Sequence, residues 1–112
     1  MAAMLKLTDL RQFYFIGFDL EKAPEGAHEK IVDEIKDKFK DNARWILDTT
    51  WIFTGFGFTS NKLFDAIEKI LKKHLSRNSE YYLVVWKLSK DETRGSLRPA
   101  DTRWVKRKFG LS

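Results

Sequence analysis

Cysteine is absent from the 112 residues, which excludes disulfide staples, thiolate nucleophiles and cysteine-ligated zinc together. Proline occurs only twice, at Pro24 and Pro99, so few positions forbid regular structure. The two histidines, His28 and His74, stand 46 positions apart in segments of helical pattern, so neither a zinc site nor a Ser-His-Asp arrangement finds support. The longest apolar stretch, Phe13 to Phe18, is six residues, against the ~20 that a membrane span needs. The amino end shows no basic-then-apolar run closing on a cleavage site. A soluble cytoplasmic protein without membrane association is the expectation.

What is present suits a folded chain. Hydrophobic residues make up 43% and charged residues 33%, globular values at a length that supports one domain with a real core. The net charge of +5 is unevenly placed. Residues 1–86 hold 13 basic and 13 acidic residues, whereas residues 87–112 hold eight basic against three acidic. The whole excess therefore lies in the last 26 residues, where Trp104 and Phe109 alternate with Arg103, Lys106, Arg107 and Lys108. A polyanion partner is one reading of that asymmetry and a solvated tail is the other.

Residues 1–11 lack clear periodicity and read as a leader or loosely ordered end. Gln12 to Asp19 is aromatic and β-branched on both parities, as a central strand should be, and it ends before the breaker Lys22-Ala23-Pro24-Glu25-Gly26. From Ala27 to Asp41, Ile31, Ile35 and Phe39 recur every four residues with Val32 beside them, predicting an amphipathic helix. Arg44 to Thr54 reads as β, either one long strand or two short ones broken at Asp48-Thr49-Thr50. Thr59 or Ser60 can cap a second helix whose buried stripe is Leu63, Phe64, Ile67, Ile70, Leu71 and Leu75. Glu80 to Leu88 is a further apolar strand, and in the basic tail Thr102 to Phe109 suggests a short fifth one. Gly55-Phe56-Gly57 is not a phosphate loop, because the third glycine is missing and lysine follows only at Lys62.

With the middle segment broken the order is β-α-β-β-α-β; unbroken, it is β-α-β-α-β. The first is the α+β, ferredoxin-like arrangement: a four-stranded antiparallel sheet with two helices on one face, over residues 12–88, followed by a basic extension at 89–112. Its second sheet face would be exposed and aromatic, and a symmetric homodimer covers such a face most simply.

Several segments carry a resemblance: Gly-Phe-Asp-Leu ending the first strand, Trp-Ile-Leu-Asp-Thr-Thr-Trp-Ile-Phe in the middle, the Thr59-Ser60 cap, and the final Tyr-Tyr-Leu-Val-Val-Trp. Together they resemble the small CRISPR-associated adaptation subunit, and within that group a SinR-like set of short bacterial and phage proteins. The virulence-associated protein D ribonucleases are similar more distantly. The resemblance spans roughly residues 12 to 88 and implies a ferredoxin-like homodimer, with the first-strand aspartates of two subunits meeting near the two-fold axis. In members that act as nucleases that pair holds magnesium; the matching position here is Asp19. It also implies the broken middle strand. The aromatic Phe13–Phe18 strand, the Gly55–Phe58 loop and the long basic C-terminus depart from the family.

Asp19 has a rationale of its own as the catalytic and metal-binding candidate. Magnesium takes oxygen ligands and often needs only one or two carboxylates, and it activates water against a phosphodiester. The alternative is a strand-end aspartate accepting backbone N–H bonds. Arg94, Arg98, Arg103, Lys106, Arg107 and Lys108 are the expected phosphate contacts, with Trp104 as a base-stacking side chain among cations. Trp51 and Trp86 read as core or interface anchors. The expected function is thus a homodimeric protein associated with RNA or DNA, with magnesium-dependent endonuclease activity as its candidate chemistry. The rival is a non-enzymatic module that binds a protein partner through its sheet face or tail.

Overall fold

The computed structural model describes residues 12–55, 57–88 and 97–109. The expected leader at residues 1–11 and the phosphate candidate Arg94 lie outside them. The chain is α+β: β1 (Gln12–Glu21), α1 (Ala27–Phe39), a 3-10 turn (Lys40–Asn42), β2 (Ala43–Leu47), β3 (Thr50–Gly55), α2 (Ser60–His74), β4 (Glu80–Leu88) and α3 (Pro99–Phe109). The four strands form one sheet in the order β2-β3-β1-β4, every neighbouring pair antiparallel. Among the described residues no helix is long and apolar enough to cross a membrane.

Side-chain alternation sorts the sheet into two faces. Tyr14, Ile16 and Phe18 of β1 and Trp51 and Phe53 of β3 turn toward α1 and α2. There they meet Ile31, Val32, Ile35, Leu63, Ile67, Ile70 and Leu71 in a continuous core. Gly26 begins α1 at φ +81°, a left-handed conformation glycine adopts without a steric cost, and Ala27 N–H donates to Pro24 O. At α2 the Thr59 hydroxyl accepts from Lys62 N–H at 3.1 Å, so Thr59 is the cap.

The middle segment is broken. Asp48 and Thr49 form the turn between β2 and β3, and the register slips between Trp45 and Leu47. Trp45 stacks at 6.0 Å on Trp51 on the helical side, while Ile46 is buried on the opposite side and Leu47 is 59% exposed. A shared parity through Trp45 and Leu47 therefore does not survive the bulge, because one extra residue reverses the alternation.

Two expectations are corrected. The segment Thr102 to Phe109 is not a fifth strand but part of α3: Pro99 stands at the first helical position, an acid (Asp101) follows in the first turn, and Lys106, Arg107 and Lys108 close the last. Nor is the second sheet face left bare throughout. α3 packs against β2, and Arg44, which alternates away from the core side, bonds Asp101 at 2.7 Å. Phe13 and Thr54, paired across β1 and β3 on this second face, are also buried. Among the described residues, only the β1–β4 half of the face carries large exposed aromatics.

Candidate nucleic-acid interface

The open half of the sheet is a ladder of four registered pairs on one face: Phe15 with Trp86, Gly17 with Val84, Asp19 with Tyr82, and Glu21 with Glu80. Aromatic surface stands at one end and carboxylates at the other. Trp86 is 64% exposed and Tyr82 56%, while their chain neighbours Tyr81, Leu83 and Val85 pack on the core. The ring of Trp86 lies 6.1 Å from that of Phe15. Gly17 makes room for this: a Cβ there would sit 3.3 Å from the Phe15 ring and 3.6 Å from Val84 Cγ1. The result is a shallow hollow of about 280 Å³ lined by Gly17, Phe18, Asp19, Tyr82, Leu83 and Val84.

Tyr82 donates its hydroxyl to Glu80 at 3.3 Å. The negative charges of Glu21 and Glu80, with a smaller effect from Asp19, raise its pKa above the ordinary tyrosine value. Asp19 is exposed, and its Oδ1 accepts the N–H of Leu20 at 3.0 Å. It stands at a corner, for it also lines a second cleft of about 360 Å³ with Leu20, Pro24, His28, Glu29 and Thr49. His28 contributes to that corner by donating Nε2–H to Asp48 O at 3.1 Å, an oxygen that Trp45 Nε1 also reaches at 2.9 Å. Asp48 thus serves the hairpin through its backbone. Among the described residues no group of three His, Asp or Glu side chains is gathered for a metal ion.

The cationic residues of α3 and the loop before it divide by direction. Arg98 donates to Ile46 O at 3.0 Å. Arg107 and Lys108 reach Asp41 at 3.3 and 2.7 Å. The Lys108 ammonium, first among several donors, holds the Asp41 carboxyl below its ordinary range. Arg103 and Lys106 point to solvent with no partner among the described residues. Trp104 is a correction: it is only 3% exposed, its indole N–H directed at Asp41 from 3.3 Å, so it anchors α3 and offers no stacking surface. An i, i+3, i+7 face of Asp101, Trp104 and Lys108 makes these attachments, a helical spacing already present in the sequence.

The structure brings Asp19 together with Tyr82 and Trp86 on one face and engages three expected phosphate ligands with the fold: Lys108 is largely covered, whereas Arg98 and Arg107 make their contacts while staying mostly exposed. Sequence reasoning misses Tyr82 and reads Trp86 only as an anchor. The signal lies in the alternation of Tyr81-Tyr82-Leu83-Val84-Val85-Trp86, where one parity feeds the core and leaves the other outside. No protein-family model matches this chain, and no curated protein matches it.

Proposed function

We propose that the protein is a homodimeric, nucleic-acid-associated domain of ferredoxin-like architecture, and that it holds a single strand on the open β1–β4 face. The strand order β2-β3-β1-β4 with α1 and α2 against one side supports that architecture. The observation that carries the function is the pair of exposed aromatics Trp86 and Tyr82, with the half-buried Phe15 beside Trp86, on one sheet face. Base–aromatic stacking is worth about 1–3 kcal/mol per base and works only for unstacked bases, which favours a single strand over a duplex. Arg103 and Lys106, pointing outward from α3, supply charge for the backbone. The acidic end at Glu21 and Glu80 repels phosphate and so confines the strand toward Phe15 and Trp86.

Fluorescence anisotropy with labelled single-stranded and duplex oligonucleotides tests this. Trp86→Ala weakens single-strand binding by roughly 5- to 150-fold, while Trp86→Phe retains most of it. Equal affinity in Trp86→Ala, Tyr82→Ala and the parent protein overturns the reading.

A second reading, magnesium-dependent phosphodiester hydrolysis, is favoured by the exposure of Asp19 and by its position between both hollows. Its carboxylate has the hard oxygen donors magnesium prefers, and one oxygen is engaged only by the adjacent amide. One chain supplies this single ligand, so the ion would be shared with the Asp19 of a second copy and would supply an activated water. Cleavage of labelled RNA or DNA that needs magnesium and disappears in Asp19→Asn supports it; cleavage undiminished in that variant removes it.

A further inference from the structure

The two edges of the sheet are built differently. β2 is five residues long, carries a register slip and is flanked by α3, all devices that discourage pairing with another chain. Among the described residues β4 has none of them. It is nine residues long and pairs with β1 through nine consecutive positions without a bulge. The central run Tyr81 to Trp86 contains no charge, proline or glycine. No described strand lies beyond it, so its outer row of backbone donors and acceptors faces away from the fold. An isolated protein with such an edge is a template for aggregation. The segment is built to accept a partner strand.

We propose that this partner is the β4 of a second copy, paired antiparallel about a two-fold axis at Val84; the proposal rests on the homodimer of the reading above and assigns its interface and register. The side-chain pattern selects that register. Partners across an antiparallel pair share a face, so centring on Val84 sets Tyr82 opposite the partner's Trp86, and Trp86 opposite the partner's Tyr82. The two most exposed aromatics thereby become cross-strand neighbours. On the helical face Leu83 meets the partner's Val85. Tyr81, whose hydroxyl donates to Glu68 at 2.5 Å, meets the partner's Lys87 and so places an ammonium beside that carboxylate. Charges of like sign oppose one another nowhere along the strand.

The pairing also completes the proposed binding surface. Each row across the joined sheet reads Phe15, Trp86, the partner's Tyr82, the partner's Asp19, so the stacking floor is made by both copies. An α3 stands toward each outer end, presenting Arg103 and Lys106. Three inter-strand spacings and four residues of offset separate the two Asp19 carboxylates by roughly 20 Å, too far to share one ion, so this interface and the shared-magnesium reading exclude one another, and a dimer linked at Val84 removes the latter.

The absence of cysteine makes the test clean. Directly opposed residues of an antiparallel pair lie within disulfide range, with Cα atoms about 4.5–5.5 Å apart. Under mild oxidation Val84→Cys is expected to link into a covalent dimer, Tyr82→Cys alone far less, and the double variant Tyr82→Cys/Trp86→Cys as completely as Val84→Cys. Lys62→Cys on the exposed side of α2 measures random collision. Sedimentation of the unmodified full chain gives twice 13.2 kDa. A monomeric mass for that chain overturns the proposal, as does a dimer in which Val84→Cys links no faster than Lys62→Cys. Oligonucleotide anisotropy on the same samples separates the two failures. A correctly linked dimer that binds no single strand refutes the binding function alone, and a monomer that binds refutes the interface alone.

Discussion

Arg44 on β2 donates Nε–H to Asp101 Oδ1 at 2.7 Å, tying the edge of the sheet to a helix 57 residues further along the chain. The Asp101 side chain is only 5% exposed, while Arg44 keeps about a third of its surface in water. With Trp104 buried three residues on, this pair is why the helix Pro99–Phe109 is part of the fold and not a free arm. Of the cations on this helix, Lys108 is largely covered by its contact with Asp41, whereas Arg103 and Lys106 face solvent without a partner among the described residues.

Breaking that tie lowers stability. Asp101→Ala leaves Arg44 without its carboxylate and is expected to cost about 1–3 kcal/mol, with Asp101→Asn costing less because an acceptor remains. Trp104→Ala costs about 3–5 kcal/mol by emptying a buried site. Urea unfolding followed by circular dichroism measures each. Midpoints unchanged from the parent protein would mean that α3 is not packed as described.

Stability also falls in acid. Asp41 lies below its ordinary value of 3.8, chiefly through Lys108, and Glu34 lies below 4.5, chiefly through the hydrogen bond to His74. A carboxyl depressed on folding adds stability above its unfolded pKa, and that contribution disappears as pH drops through the folded value. Thermal unfolding is therefore expected to show little effect of these groups above about pH 5 and a declining Tm below about pH 4. Asp41→Asn and Glu34→Gln each reduce that decline. High salt shrinks the Asp41 effect, because its side chain is well exposed.

Among the cations of α3, binding and folding separate. Replacing Arg103 and Lys106 by alanine is expected to flatten the salt dependence of single-strand binding by about 0.7 log unit for each phosphate no longer engaged, with Tm nearly unchanged. Replacing Arg107 and Lys108 lowers Tm first, since both hold Asp41. Anisotropy titrations at several salt concentrations beside thermal melts distinguish the pairs. An identical slope in the Arg103/Lys106 variant removes these residues from the interface.

One substitution is expected to help. The hydroxyl of Thr54 is fully buried and has no hydrogen-bond partner among the described residues. Thr54→Val keeps the shape and removes an unsatisfied polar group, so stability rises by up to about 1 kcal/mol in denaturant unfolding. A fall in stability of that size would reveal a partner for the hydroxyl.

The helices α1 and α2 and the strands β1 and β4 are legible in the chain itself, because each carries a long, consistent period. Ile31, Ile35 and Phe39 mark one helix, and Leu63, Ile67, Ile70 and Leu71 the other. The break at Asp48 is only one of two readings, since no glycine or proline marks that turn and the shared parity of Trp45 and Leu47 conceals the bulge. α3 reads as a strand from sequence because Thr102, Trp104, Val105 and Phe109 are residues that strands favour. Pro99 and the placement of charge at its two ends are the better guide. Asp19 is recognisable as a strand-end carboxylate. Tyr82, which lies opposite it, and Trp86, further along the same face, are not, because they come from a strand more than 60 residues away.

Local pattern in the sequence decided what most segments would become and which side of each would be buried, since periodicity and turn chemistry act over a few residues. It also settled the absence of thiol chemistry and the concentration of positive charge from Lys87 onward. Tertiary structure alone decided which cations of α3 stay outward, that Trp104 is an anchor, and that Phe15, Asp19, Tyr82 and Trp86 share one open face. Those outcomes depend on where distant strands and a terminal helix come to rest against one another, which is a property of the packed sheet and not of any one segment.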